Sequence, residues 1–162
     1  MAKFTIFNIS EDVFGIDISR VLEILRVQKI FSIPGLPGFL TGVMSVRGSV
    51  IPVMDLRLRF GIKPVDNSKE RIILVRYGEE KIGFLVDVIR EILQLDSEEI
   101  RPSPSIFKGF KTEYLTGLGK KGEQIIILLN IDNLLTSEEK IWLRESKELL
   151  EDNSAGTGKT AQ

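Results

Sequence analysis

Sliding the sequence along itself by 68 residues sets Gly15 on Gly83, Glu11 on Glu79 and Glu23-Ile24-Leu25 on Glu91-Ile92-Leu93. In that register FTIFNISEDVFGIDI and IILVRYGEEKIGFLV both read as strand, acidic corner, then strand with an internal glycine. YLTGLGKKGEQIIILLNID (114–132) is likewise similar to GVMSVRGSVIPVMD, with a longer turn. Self-similarity of this kind points to one small unit built twice. Short runs of period two between regular turn signals make that unit β, so the expected fold is mainly β, a pair of small barrels or a sandwich. A unit of about 65 residues has a thin core, so the two should pack through a shared apolar layer. The approximate division is 1–66 and 67–136, with the N-terminal strand open to exchange between them.

Within the first unit, GVMSVRGSVIPVMDL (42–56) reads as a hairpin. Val43, Ser45 and Arg47 have one parity, Met44 and Val46 the other, and period-two geometry puts each set on its own face. Gly48 supplies the turn and Arg47 stands at its tip. Pro52 has no N–H for a ladder, which predicts that the second strand is an edge or carries a bulge. A surface arginine at a hairpin tip is ordinary, but a guanidinium beside apolar side chains is also the composition of a protein–protein hot spot.

The remaining elements follow from local signals. Residues 4–9 and 13–18 are strand-like across the corner Ser10-Glu11-Asp12, and Ser19 is placed to cap a short helix, RVLEILR, with Val21, Leu22 and Leu25 on one face. Residues 29–33 are extended up to the break at Pro34-Gly35-Leu36-Pro37-Gly38. Asp55 caps a helical turn, LRLRFG, that stops at Gly61, and Lys63 to Lys69 is a connector. Residues 96–112 begin with one helical turn and continue as a loop carrying Ile106, Phe107 and Phe110, apolar side chains that either fold back onto the core or form a contact surface. Thr136-Ser137-Glu138-Glu139 opens a helix over 137–151 with an apolar stripe of Trp142, Leu149 and Leu150 and Ile141 nearby, and the polar residues 153–162 read as a disordered tail.

Composition narrows the function. The chain has no histidine, which removes the commonest general base and metal ligand, and no cysteine, which removes thiolate chemistry and disulfides. Lys+Arg of 22 nearly cancels Asp+Glu of 23, which gives no reason to expect a nucleic-acid partner. No apolar run reaches the roughly 20 residues of a spanning helix, and Met1-Ala-Lys leads into a strand rather than a secretory signal. The expected location is the cytoplasm. Asp55, Asp87 and Asp132 each follow an apolar strand. Three such carboxylates suit a hard cation or acid–base work, but aspartates commonly end strands as turn and cap residues. Gly156-Thr157-Gly158-Lys159-Thr160 imitates the end of a phosphate loop without the strand and helix such a loop needs. Arg101-Pro102-Ser103-Pro104 reads as a stiff loop.

Taken in order, FGIDISRVLEILR (14–26), IPGLPGFLTGVMSVRGSVIPVMDLRLRFG (33–61), IGFLVDVIREIL (82–93), IRPSP (100–104), EYLTGLG (113–119) and IIILLNIDNLLTSEE (125–139) resemble the CheW family of bacterial chemotaxis. The R-G-x-x-I-P-x-x-D-L core at Arg47 to Leu56 is the most specific piece. Where the family often has Asn-Leu-Arg-Gly, this chain has Ser45-Val46-Arg47-Gly48. The resemblance implies two five-stranded SH3-like barrels sharing a hydrophobic core, short helices and a C-terminal helix, in a single domain over 1–152. It implies a non-catalytic adaptor without metal or cofactor, coupling the cytoplasmic tips of chemoreceptors to the regulatory domain of the histidine kinase CheA. In isolation it would be a monomer, and in the cell part of a receptor array without inserting into the membrane. An adaptor of the same family with another output, such as twitching motility or development, is the alternative. By position, the resemblance assigns Val21, Glu23, Gly42, Val43 and Arg47 to the receptor groove, and Arg101 and Ile106 to the kinase-facing loop.

Overall fold

The computed structural model describes residues 1–102 and 111–146. A hairpin of β1 (Ala2–Ile9) and β2 (Asp12–Asp17) leads through a 3₁₀ turn, Ile18–Arg20, to β3 (Val21–Arg26). A second hairpin, β4 (Gly42–Val46) and β5 (Ser49–Asp55), ends in the one-turn helix α1 (Leu56–Arg59). There follow β6 (Arg71–Tyr77), β7 (Glu80–Val86), β8 (Val88–Leu95), a 3₁₀ turn at Ser97–Glu99 and the two-residue β9 (Ile100–Arg101). A further 3₁₀ turn, Thr112–Tyr114, opens β10 (Leu115–Lys121) and β11 (Gln124–Leu129), and α2 (Ile131–Leu134) and α3 (Ser137–Glu145) close the described chain.

The protein is mainly β, with two sheets. One has the order β8-β1-β2-β11-β10-β9, the other β3-β6-β7-β5-β4. The hairpins related by the 68-residue shift occupy matching places: β1–β2 between β8 and β11, β6–β7 between β3 and β5. Each sheet therefore takes strands from both halves of the sequence. Each also has one parallel seam at the matching glycine, Leu128 opposite Gly15 in one and Val53 opposite Gly83 in the other. The seam leaves no room inside: a Cβ on Gly83 would lie 2.7 Å from Ile72 Cγ2.

Alternation sorts the side chains into three clusters. On β6, Ile72 and Leu74 join Leu25, Met44, Val46, Ile51, Val53 and Leu85 in a core inside the five-stranded sheet. Ile73, Val75 and Tyr77 point the other way, into a larger core between the sheets with Phe7, Phe14, Phe60 and Phe84. Phe4, Ile6, Leu95, Ile126 and Leu128 fill the six-stranded sheet. Strands buried on both faces are near-continuous apolar runs, which is why RIILVRY and EKIGFLV show little polar alternation. The shared layer expected from the thinness of each unit is the largest of the three clusters.

Four expectations are corrected. RVLEILR is not a helix: Ile18–Arg20 is a single turn, capped by Asp17 rather than Ser19, and Val21–Arg26 is a strand hydrogen-bonded to β6. The strand holding Pro52 is not an edge, because β5 lies between β4 and β7, and β4 is the edge. Pro52 is tolerated because Val43, opposite it, exchanges both backbone bonds with Phe31 at 2.7 and 2.8 Å, and the β5–β7 pairing begins only at Val53. The first sheet has six strands rather than five, since Ile100–Arg101 adds β9. On α3 the fully buried residue is Leu143, absent from the expected stripe; Trp142 does pack against the shared core, its ring edge-on to Phe39, while Ile141 is exposed. The capping box is present, with Thr136 Oγ1 accepting from Glu139 N at 3.1 Å and Thr136 N donating to Glu139 Oε1 at 2.8 Å. Leu149, Leu150 and the tail with Gly156 to Thr160 lie outside the described residues, as do Ile106, Phe107 and Phe110.

Candidate partner-binding site

Arg47 and Gly48 have φ of 49° and 84°, both left-handed, so the β4–β5 hairpin turns through a two-residue type I′ loop. Gly48 adopts this without penalty, whereas Arg47 costs about 1–2 kcal/mol. The turn points the Arg47 guanidinium across to β3, where Nη1 donates to Glu23 Oε1 at 3.1 Å and Nη2 to Oε2 at 2.5 Å. β3 and β4 are the two opposite edges of the five-stranded sheet. The ion pair can form only because the sheet curls until its edges face each other across the inner cluster.

Glu23 reaches that rim because of a bulge. Val21 pairs with Val75 and Glu23 with Leu74, so Leu22 is the extra residue. Without it Val21 and Glu23 would share a face. With it, Val21 turns toward the shared core and Glu23 shares the face of Leu25 at the mouth of the inner cluster. Leu22 and Ile24 are left 37% and 40% exposed on the sheet edge, and Phe31 46% exposed beyond β4. A bidentate ion pair at the edge of a sheet whose edge strand also exposes apolar side chains has the composition of a docking surface.

Gly42 and Val43, at the far end of β4 from the turn, are buried. The chain at Ile30–Phe31 passes directly over them: a Cβ on Gly42 would lie 2.5 Å from the Phe31 carbonyl oxygen and 2.6 Å from Ile30 Cγ2. Of the five residues assigned to the groove, then, Glu23 and Arg47 are joined and accessible. Val21 packs against the shared core, and Gly42 and Val43 are buried beside Ile30–Phe31. Arg101 is exposed on β9, on the other sheet, and Ile106 is outside the described residues.

The hydrogen bond from Arg47 is the main cause that holds the Glu23 carboxyl below its ordinary value. Glu23 is therefore expected to titrate below pH 4.5, the ordinary glutamate value, when followed by carboxyl NMR, and to return toward it in Arg47→Ala. The sign is that of a depressed carboxylate: the pair's contribution is full above the unfolded-state value and is lost as the pH falls through the folded one. An unshifted Glu23 in the parent protein would mean that the pair does not persist in solution.

The carboxylates at strand ends have another use. Asp55 caps α1 by accepting from Arg57 N at 2.9 Å, and the Arg57 side chain, 3% exposed, is held by Asp55 at 2.9 Å, Glu70 at 2.8 Å and Asp87 at 2.8 Å. Burial pulls this guanidinium's pKa down, but the bonds to Asp55, Asp87 and Glu70 more than offset it and leave the pKa raised. The cation that joins two of the three carboxylates is thus supplied by the chain itself. Asp132 pairs with Arg20 at 2.9 Å. Among the described residues no group of three or more acidic residues is arranged to hold a metal ion, and no helix is long and apolar enough to cross a membrane.

Comparison with known proteins agrees with this geometry. The family model described as a CheW-like domain matches residues 3–139. The chemotaxis protein CheW of Klebsiella aerogenes is 38% identical, over 85% of this chain and 83% of its own. CheW of Treponema pallidum is 28% identical over 82% and 81%. The crystal structure of the scaffolding protein CheW from Thermoanaerobacter tengcongensis superposes with a TM-score of 0.77 at 32% identity, covering 85% of this chain and 90% of that one. With the family model spanning both sheets and the shared core between them, the chain belongs to the CheW-like domain family.

Proposed function

We propose that this protein is a non-catalytic, cytoplasmic adaptor of chemotaxis signalling that couples the cytoplasmic tips of chemoreceptors to the histidine kinase CheA. Family membership and the chemotaxis and scaffolding roles named for its relatives support this reading. The observation that carries it to particular residues is the Glu23–Arg47 pair on the rim of the five-stranded sheet, flanked by exposed Leu22 and Ile24. A receptor helix would lay its apolar face against Leu22, Ile24 and Phe31 and meet the ion pair with polar groups. Val21, Gly42 and Val43 would set the shape of that surface. The kinase would be met on the other sheet around Arg101 and the loop with Ile106.

Co-sedimentation with receptor fragments and the cognate CheA tests the reading. The parent protein should enter the complex. Arg47→Ala should lose less than about 2 kcal/mol of stability, as surface changes do, and enter poorly, and Arg47→Glu should drop out while remaining folded. The swap Glu23→Arg with Arg47→Glu restores an ion pair with reversed polarity. If the swap binds like the parent, Arg47 acts through groove geometry; if it stays out, the partner reads the charges themselves. Failure of the parent to join either partner would reject the adaptor reading.

A further inference from the structure

Between its named strands the chain passes from one sheet to the other twice: from β2 to β3 through Ile18–Arg20, and from β7 to β8 through Asp87 alone. Both crossings carry a charged residue, and the two are tied down in related ways. Asp87 Oδ1 accepts from Arg57 Nη1 of α1 at 2.8 Å, while Oδ2 accepts from the Ser10 N–H at the β1–β2 corner at 2.6 Å. Its own N–H donates to Asn8 O at 3.2 Å. On the other crossing, Arg20 Nη2 donates to Arg76 O at 3.0 Å and pairs with Asp132 of α2 at 2.9 Å, with the guanidinium 5.7 Å from the Tyr77 ring.

These are the same tie made twice with the charges exchanged. Arg76 stands 68 residues after Asn8, the repeat shift, so the two crossings engage the same backbone carbonyl of their respective hairpins. The helices match too: Arg57 and Asp132 are each the second residue of the short helix that follows a hairpin. The corner position differs in step. Gly78 takes φ of 61° freely, while Ser10 at φ 55° is a non-glycine in the left-handed region and its N–H is the one Asp87 holds. One tie is buried, Arg57 being 3% and Asp87 17% exposed; the other is open, Arg20 being 30% and Asp132 65% exposed.

We propose that these two polar ties fix the angle between the sheets. The shared core holds the sheets together, but apolar attraction is non-directional and sets no angle by itself. Directional bonds at the two covalent crossings do. Asp87 binds both α1, which follows β5 of the five-stranded sheet, and the β1–β2 corner of the six-stranded one, and Arg20 binds both Arg76 on β6 and Asp132 on α2, so each registers the two sheets. The surfaces carried by different sheets, Glu23–Arg47 on one and Arg101 on the other, keep a defined geometry through these ties. This inference does not depend on which partners those surfaces meet.

The absence of cysteine makes the test direct. Ser45 on β4 and Lys120 on β10 are exposed and stand at corresponding ends of the two sheets. Spin labels on Ser45→Cys and Lys120→Cys in the full chain should give one narrow distance distribution. Asp87→Ala leaves Arg57 paired with Asp55 and Glu70, yet should shift and broaden that distribution. Arg20→Ala should broaden it, raising the population of altered angles by roughly two- to fivefold, the factor a part-exposed ion pair supplies. Glu70→Gln touches the same arginine but nothing on the other sheet, and should leave the distance unchanged. If Asp87→Ala does not fold, Arg20→Ala alone decides. Parent-like distributions in the folded tie variants, or broadening by Glu70→Gln equal to that of Asp87→Ala, would overturn the proposal.

Discussion

Arg57→Met is expected to cost about 3–5 kcal/mol of stability, the loss typical of removing one partner from a buried ionic cluster. It should be measured as a lower urea midpoint with an unchanged slope. Methionine preserves the length of the side chain and leaves Asp55, Glu70 and Asp87 facing one another without a cation, at 5%, 15% and 17% exposure. Their mutual repulsion in a water-poor site, not the lost contact area, sets the size of the effect. Adding Asp87→Asn to Arg57→Met should therefore recover part of the loss, although the same Asp87 change in the parent protein is destabilising. That opposite sign is the signature of a coupled cluster. Arg59→Met, which loses the bidentate bond to Glu139 at 2.8 and 3.2 Å and the contact over the Phe39 ring, should cost less, because a single carboxylate is left behind. A loss below about 1 kcal/mol for Arg57→Met, the range of an exposed pair, would show that water reaches the site.

The arginine in question could not be picked out beforehand. In LRLRFG the cap at Asp55 is a local signal and was legible, but a four-residue helix has no periodicity to say which of Arg57 and Arg59 turns inward. The deciding partners, Glu70 just before β6 and Asp87 between β7 and β8, arrive from distant parts of the chain. The same division runs through the fold. Hairpins with period-two faces declared themselves, including the corner at Arg47-Gly48, because what marks them is within a few residues. VLEILR did not. Its apolar spacing suits a helix as well as a strand, and the choice is made by β6, some fifty residues later, through the Val21–Val75 to Arg26–Arg71 pairing. The 68-residue repeat is matched by the equivalent places of β1–β2 and β6–β7 in the two sheets, whereas which strands each sheet takes from which half leaves no mark on local pattern.

At the candidate site the family resemblance supplied five residues, and physical reading explains why they differ in kind. Glu23 and Arg47 meet because a bulge at Leu22 and a type I′ turn both re-aim side chains, and neither device is visible in residue spacing. The exposed neighbours Leu22, Ile24 and Phe31 were missed. Leu22 is expected on one face, with Val21 and Leu25, of a helix that does not form.

Gly42→Ala is the second large effect, and it separates wall from contact. The added methyl would sit 2.5 Å from the Phe31 carbonyl oxygen, a backbone atom that cannot rotate away, and 2.6 Å from Ile30 Cγ2. Relief requires the Ile30–Phe31 segment to lift from β4, breaking the two Phe31–Val43 bonds and withdrawing Ile30 from the inner cluster. Two hydrogen bonds and part of one isoleucine amount to about 2–4 kcal/mol. Native-state hydrogen exchange should show lost protection at the amides of Phe31 and Val43 while the β6–β7 ladder keeps its own. Gly48→Ala is the contrast: φ of 84° but nothing within 4 Å, so only left-handed strain of about 1–2 kcal/mol is expected, without loss of protection at Phe31. If Gly42→Ala binds receptor fragments weakly and has also lost protection at Phe31, the glycine acts by holding the wall in place. If binding is lost with that protection intact and stability within about 0.5 kcal/mol of the parent, the packing account is wrong and Gly42 lies in the contact itself.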